Sequence, residues 1–212
     1  NLRNIQICKP DSEEELIAEI VKNQIDLVVT IAYGKLLRTK ALKAPKFGWL
    51  NIHFSLLPKY RGAAPVQYAI WNEEKTTGIS IFRLNEGMDT GDIVYQEEVL
   101  IEPRIKSDKL LELMVSQSIK PLQDILLGFP SINSTAQVGE VSYAPKLEKS
   151  SGLIDWNQSA SKIYAQYRAF FPWPGVFTYL QGLKITIKDM DSIPSLNTQE
   201  QPGKMIELQG RY

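Results

Sequence analysis

Several features that would assign this chain to a special class are missing from its 212 residues. Cys8 is the only cysteine, so no disulfide can form within the chain and a reducing compartment is expected. No apolar run is long enough to cross a bilayer, and no basic-then-apolar leader precedes the first residues. Acidic and basic side chains balance at 24 each, so no global field marks a nucleic-acid or membrane-surface binder. We therefore expect a cytoplasmic protein in which any charged partner is bound by a local patch.

The motifs of several catalytic classes are also missing. His53 is the single histidine, no cysteine lies near it, and the chain has no metal-ligand spacing, G-x-S-x-G elbow or P-loop. Covalent acyl-enzyme, zinc and nucleotide-phosphate chemistries therefore lack their usual residues. With 43% hydrophobic and 23% charged residues, the composition is that of a globular protein, and the length suits one large domain or one domain plus part of a second.

The hydrophobic pattern predicts an α/β fold for the first part of the chain. Residues 5–8 form a strand candidate, Ser12 opens a helix, and the apolar run at 27–32 is typical of a strand buried on both faces. This order indicates a βαβ unit and a mostly parallel, Rossmann-like sheet. Further strands are predicted at 49–52, 79–82 and 93–95, and further helices at Pro65 and at 107–127, the latter capped by Ser107. Ligands of such sheets bind beyond the carboxyl ends of the strands.

The rest of the chain predicts the start of a second domain. A polar, turn-rich stretch precedes a helix at 159–170 and two strands that flank Gln181 and Gly182 as a hairpin. We expect an α/β domain at 1–134, a linker at 135–152 and a partial β-rich domain at 153–212. The last part is short for a core of its own.

Four side chains are candidates for chemistry. Asn51, His53 and Ser55 occupy alternate positions at the end of a predicted strand, so they would point to one side if the strand continued. Asp89 lies between Gly87 and Gly91 in a loop that follows another strand. A lone histidine is more often structural, and an Asp near glycine more often organises its own turn. Together, however, an amide, an imidazole and a carboxylate suffice for direct transfer of an acyl or formyl group.

Two stretches, 51–65 and 87–92, closely resemble the formyltransferases that use 10-formyltetrahydrofolate. Within that superfamily the Arg-Gly-Ala-Ala-Pro run and residues 172–175 are most similar to the methionyl-tRNA formyltransferases. The resemblance implies a Rossmann-like formyltransferase domain followed by the start of an OB-like C-terminal domain. Members begin before Asn1 and continue past Tyr212, so we expect a chain truncated at both ends.

The resemblance also implies roles for residues. It places the catalytic trio at Asn51, His53 and Asp89, and it implies that a turn and a loop contact the folate, namely Ser55, Leu56, Leu57 and Pro58, and Ala32, Tyr33 and Gly34. The implied reaction moves the formyl group of 10-formyltetrahydrofolate to the α-amino group of initiator methionyl-tRNA, with no metal, no membrane partner and a monomeric protein. Phe54 stands where many members have a smaller residue, so it would narrow the pocket if it turned toward it.

A local basic cluster is the independent signal for RNA. It consists of residues within a dozen positions that contain no acid: Lys35, Arg38, Lys40, Lys43 and Lys46. Lys59 and Arg61 flank the proposed site. Such clusters hold phosphates, although a solvated loop would look the same. The aromatic residues Phe170, Phe171, Trp173 and Phe177 are expected to pack between domains rather than to stack on bases.

The residues leave other functions open. The resemblance also implies that the same trio would serve transfer to a sugar-nucleotide amine or hydrolysis of 10-formyltetrahydrofolate. A non-catalytic folate-binding or RNA-binding fragment is the alternative from another class.

Overall fold

The computed structural model describes residues 7–192 and 201–205. Its helices are α1 Glu13–Lys22, α2 Thr39–Leu42, α3 Pro65–Trp71, α4 Ser107–Gly128 and α5 Ala160–Ala169, with a short 3-10 helix at Lys149–Gly152. Its strands are β1 Val28–Ile31, β2 Trp49–His53, β3 Arg61–Gly62, β4 Thr76–Arg83, β5 Ile93–Leu100, β6 Tyr143–Ala144, β7 Val176–Leu180 and β8 Leu183–Ile187. The α/β, Rossmann-like fold class is confirmed. Residues 5 and 6 of the first predicted strand lie outside the described residues, and residues 7–8 form no strand.

The central sheet has four strands in the order β1-β2-β4-β5. Within this sheet β1 and β2 form the parallel pair, whereas β4 is antiparallel to both of its neighbours. For the described strands this corrects the expectation of a mostly parallel sheet. The physical reason is the short connection, because the seven residues of α3 do not carry the chain back along the sheet and β4 starts where β2 ended.

The strand β1 lies at the edge of the described sheet. Its expected burial on both faces is not observed, since Ile31 is 50% exposed and Val28 and Val29 are only partly buried. The helices α1 and α2 cover one face of the sheet here with a small apolar cluster that includes Ile20 and Trp49. Ser12 caps α1 as predicted, through a hydrogen bond from the Glu15 amide to its hydroxyl.

The main core lies on the other face of the sheet. Leu50 and Ile52 of β2 belong to it, together with side chains from α3, α4, α5 and β7. Phe54 is buried in this core. Its side chain therefore does not turn toward a folate pocket and does not narrow one. Because side chains alternate along a strand, Asn51 and His53 are directed to the opposite face from Leu50 and Ile52.

Polar contacts at the start of α4 join the two parts of the chain. The Ser107 hydroxyl donates to the Phe171 carbonyl at 2.6 Å, so it forms no cap of α4, contrary to the sequence prediction. Lys106 Nζ donates to the Tyr167 hydroxyl and lies 4.2 Å from the centre of the Phe171 ring. Phe170 is fully buried against Trp71, as predicted for the aromatic group, whereas Trp173 of the same group is 50% exposed.

The C-terminal hairpin matches its prediction. The strands β7 and β8 pair in antiparallel register on either side of residues 181–182. Among the described helices, none is both long and apolar enough to span a membrane.

Candidate active site

The end of β2 places Asn51 and His53 side by side along one face of the sheet. Trp49, two residues earlier on that face, donates its indole N–H to the Ala41 carbonyl at 2.9 Å and so fixes the strand against α2. Hydrogen bonds to β1 and β4 hold β2 on both sides. Both side chains therefore sit on a rigid element, which a catalytic arrangement requires.

His53 lies between a carbonyl and a carboxylate. Its Nε2 is 2.9 Å from the Tyr60 carbonyl oxygen, and its Nδ1 is 3.7 Å from Asp89 Oδ2. Because a carbonyl can only accept, Nε2 carries the proton of the neutral ring and Nδ1 carries the lone pair. Burial lowers the pKa of His53 below its ordinary value of 6.5, although the charge of Asp89 and the Tyr60 carbonyl oppose this shift. At neutral pH His53 is thus an uncharged imidazole with Nδ1 available as a proton acceptor.

Asp89 reaches His53 from a tight turn between β4 and β5. Its backbone φ is 53°, and its Oδ2 accepts the Gly62 amide hydrogen at 2.7 Å. Gly91 allows the close approach of this turn to β4, since a Cβ there would lie 1.7 Å from the Arg83 carbonyl oxygen. The carboxylate therefore makes contacts outside its own turn, with the Gly62 amide and with His53.

Asn51 is oriented by the neighbouring strand. The Thr30 hydroxyl shares its proton between Asn51 Oδ1 at 2.9 Å and the Leu50 carbonyl at 3.1 Å. Within the described residues the Nδ2 group of Asn51 has no protein acceptor, and the side chain is partly exposed. An amide donor held in this way can stabilise a developing oxyanion.

Ser55 does not join the trio. The strand β2 ends at His53, and the Ser55 hydroxyl turns to donate to the Lys59 carbonyl at 2.6 Å. Ser55 is completely buried, and Ser80 holds the turn by donating to the Ser55 carbonyl and accepting from the Leu57 amide. The expected convergence of its hydroxyl with Asn51 and His53 is therefore not observed, because the extended geometry stops two residues too early.

The loop at 32–34 follows β1 and is exposed. Since β1 and β2 are parallel neighbours, this loop lies at the same edge of the sheet as His53. Tyr33 is 42% exposed there, so its ring is available to a ligand. The turn from Ser55 to Pro58 is mostly buried, and Leu56 is its partly exposed side chain.

Sequence reasoning missed the residues that hold the trio in place. Gln137 donates to the backbone carbonyls of Asp89 and Gly91, both at 2.8 Å. Tyr60 contacts His53 through its backbone carbonyl, for which the sequence contains no signal. Gln137 lies in a stretch whose sequence predicts only a loop. Within residues 7–192 and 201–205, no three His, Cys, Asp or Glu side chains form a group that would hold a metal ion.

The predicted basic cluster is exposed. The side chains of Lys35, Arg38, Lys40, Lys43 and Lys46 form no ion pair with the described part of the chain. The two flanking residues are engaged, since Lys59 lies 3.7 Å from Glu74 and Arg61 donates to Gln137. The cluster therefore presents unneutralised positive charge near the loop that follows β1.

Comparison with protein families places this arrangement in a known class. A family model described as formyl transferase matches residues 8–122, and a second, described as the C-terminal domain of formyl transferase, matches residues 146–211. The chain belongs to the formyl transferase family. The resemblance read from its motifs is confirmed, while the domain bounds at 134 and 152 stay a prediction.

Individual curated proteins give a more specific comparison than the family models. Methionyl-tRNA formyltransferase of Francisella philomiragia subsp. philomiragia is 41% identical over 179 residues, which are 84% of this chain and 57% of that protein. The enzyme of the same name from Caldicellulosiruptor saccharolyticus is 38% identical over 195 residues, which are 89% of this chain and 62% of that protein. The chain thus spans about three fifths of the length of these curated relatives.

Solved structures show the same fold. A protein from Mycobacterium tuberculosis described as a likely sugar N-formyltransferase has a TM-score of 0.75 at 18% identity and covers 93% of this chain and 85% of its own. HypX from Aquifex aeolicus, solved with tetrahydrofolic acid, has a TM-score of 0.74 at 17% identity, with 93% of this chain and 34% of its own covered.

Proposed function

We propose that this chain carries the formyl-transfer site of an enzyme that moves the formyl group of 10-formyltetrahydrofolate to the α-amino group of initiator methionyl-tRNA. The observation that carries the proposal is the pair His53 and Asp89 beside the open amide of Asn51, in a chain about 40% identical to enzymes named for this reaction. The catalytic roles of the trio belong to this proposal. An enzyme of this kind acts where aminoacylated initiator tRNA is found, which supports a cytoplasmic location.

The geometry supports a direct transfer between two bound substrates. The amine nitrogen attacks the formyl carbon, the carbonyl electron pair moves to oxygen, and Asn51 Nδ2 donates to that oxyanion. His53 Nδ1 accepts the proton that the amine loses, and Asp89 stabilises the imidazolium so formed. When the carbon–nitrogen bond to the folate breaks, His53 returns the proton to the departing folate nitrogen. The net change is an exchange of a formyl group and a proton between two nitrogens.

The folate is proposed to lie at the edge of the sheet beside this trio. The exposed loop Ala32, Tyr33 and Gly34 supplies one wall, and the turn Ser55, Leu56, Leu57 and Pro58 supplies the other. Because Ser55 is fully buried, its part is to hold the turn through Lys59, while the half-buried Leu56 and the backbone meet the ligand. Tyr33 offers an aromatic face to a planar pterin ring.

The choice of acceptor is tested by an assay with three separate reactions, one for each possible acceptor. The purified protein is given 10-formyltetrahydrofolate with methionyl-tRNA, with an amino sugar nucleotide, or with water alone, and formylated product is measured by mass spectrometry. We expect product with methionyl-tRNA. Product only with the sugar, or release of formate without an acceptor, would overturn the choice of substrate. Folate binding without turnover on any acceptor would support a binding module instead.

Replacing Lys35, Lys40 and Lys43 together by alanine should weaken tRNA binding and make it less sensitive to salt. Each lost phosphate contact reduces the slope of log K against log salt by about 0.7 to 0.9. Filter binding or fluorescence anisotropy at several salt concentrations measures that slope. The matched control is a double replacement of Lys109 and Lys120, which are exposed on α4 and paired with acids. An unchanged slope in the triple variant would show that the basic cluster is only a solvated loop.

A further inference from the structure

The segment 135–144, which is part of the predicted linker, is bound to the α/β part at both ends and through Gln137. Thr135 exchanges two backbone hydrogen bonds with Ile93, at 2.8 and 2.9 Å. At its other end, β6 pairs in parallel with β3. Gly62 lets the two strands approach, since a Cβ at that position would lie 2.6 Å from the Ala144 carbonyl oxygen. A flexible connection between domains would not make these contacts.

Within this segment Gln137 holds the turn that carries Asp89. Its Nε2 donates to the carbonyls of Asp89 and Gly91, and its Oε1 accepts from Arg61 Nη2 at 2.6 Å. Asp89 has a left-handed backbone, which costs energy for a residue other than glycine and persists only when neighbouring contacts enforce it. Both hydrogens of the Gln137 amide are thereby used to fix the main chain next to the reacting carboxylate.

The same segment holds the residue behind His53. The Ser142 hydroxyl accepts the Tyr60 amide hydrogen at 2.9 Å, and the Ser142 carbonyl accepts the Arg61 amide hydrogen at 2.9 Å. Tyr60 also has a left-handed backbone, with φ 59°, and its hydroxyl donates to Glu74. With its side chain and its amide both fixed, Tyr60 presents its carbonyl to His53 Nε2 and so selects the ring tautomer.

We propose that the segment 135–144 positions the catalytic groups, with Gln137 acting on Asp89 and Ser142 acting through Tyr60 on His53. This inference rests on the proposed function, because it assigns importance to the trio. It makes the connection between the two parts of the chain a component of the active site. Gln137 and Ser142 are positioning residues, since neither is placed to touch the reacting atoms.

The first test replaces Gln137 by alanine and by glutamate. Displacement of a catalytic group by about 1 Å can cost roughly 10²-fold in rate, so we expect kcat to fall by about that factor in Gln137→Ala while the KM for the folate changes little. Gln137→Glu keeps the acceptor for Arg61 but cannot donate to the two carbonyls, so it should fail to restore kcat. The matched control is Gln123→Ala, because Gln123 is exposed on α4. Wild-type kcat in Gln137→Ala would contradict the proposal.

A second readout is independent of formyl transfer. His53 is the only histidine, so the titration of its ring by NMR reports on a single residue. The charge of Asp89 raises the pKa of His53 against the effect of burial, so loss of the Gln137 anchor should lower that pKa further, toward its value in Asp89→Asn. Gln123→Ala should leave it unchanged, and Ser142→Ala should raise the fraction of the Nδ1–H tautomer.

The two readouts separate the failure of this inference from the failure of the proposed function. A shifted His53 titration in Gln137→Ala supports the positioning role even if the wild-type protein does not formylate methionyl-tRNA. An unchanged titration and unchanged tautomer in Gln137→Ala and Ser142→Ala, in variants whose circular dichroism shows a folded chain, would overturn it.

Discussion

Replacing His53 by alanine is expected to lower kcat by about 10²–10⁴-fold, the range that a positioned general base contributes. The physical reason is that Nδ1 carries the lone pair at neutral pH and lies next to Asp89, so the substitution removes the proton acceptor proposed for the attacking amine. Single-turnover formylation of methionyl-tRNA measures the chemical step. Folate binding, followed by fluorescence, should persist, because the turn and the loop proposed to contact the folate are intact.

The pH dependence of the wild-type protein provides the control for this role. The attacking amine and the base must both be unprotonated, so kcat/KM should fall as pH decreases through the pKa of the amine, and a second fall should follow at the pKa of His53. Because burial lowers the pKa of His53, the second fall should lie below 6.5. In Asp89→Asn the second fall should move to still lower pH, since the charge that raises the pKa is gone. A profile without a fall below 6.5, or with one that does not move in Asp89→Asn, would argue against His53 as the base.

Replacing Asn51 by alanine is expected to reduce kcat by about 10²–10³-fold, the usual cost of one oxyanion donor. The loss should appear in kcat and kcat/KM alike, because the Nδ2 hydrogen bond strengthens as charge develops on the formyl oxygen. Asn51→Asp, which keeps the shape but places a negative charge at the site, should be at least as damaging. Steady-state kinetics with saturating folate distinguishes this effect from loss of binding.

Two further variants serve as comparisons for Asn51→Ala. Thr30→Val removes the hydroxyl that orients the carboxamide, so it should cause a smaller loss than Asn51→Ala. Asn133→Ala alters an exposed asparagine and should be silent. If Asn51→Ala retained most of its kcat, oxyanion stabilisation would have to come from another group.

Local patterns in the sequence predict only part of the site, and the assignment of Asp89 to the trio came from the resemblance to formyltransferases. Alternation along β2 predicts that Asn51 and His53 share a face, and the glycines around Asp89 predict a tight turn after a strand. Ser55 was misplaced because periodicity does not reveal where the extended geometry of a strand ends. The parallel character of the sheet was overestimated because nothing in the pattern of β4 distinguishes one strand direction from the other.

The contacts that hold His53 and Asp89 in place could not be predicted from the sequence, and the reason is physical. The tautomer of His53 depends on the Tyr60 carbonyl. Because every residue has a backbone carbonyl, the amino-acid sequence contains no signal for this contact. Gln137 is separated from Asp89 by 48 positions and meets it only through the main chain. Long-range contacts of this kind are set by tertiary packing rather than by the residue types at either end.

The core described above runs without interruption from β2 to Phe170 and Val176. The sequence changes there from α/β to β-rich, but a cut at this point would divide a core that both parts share. A shortened version that stopped after α4 would leave Trp71 facing water and would take away the segment on which Asp89 rests. The smallest portion that preserves the reacting centre must extend at least to the buried aromatic residues that follow α5.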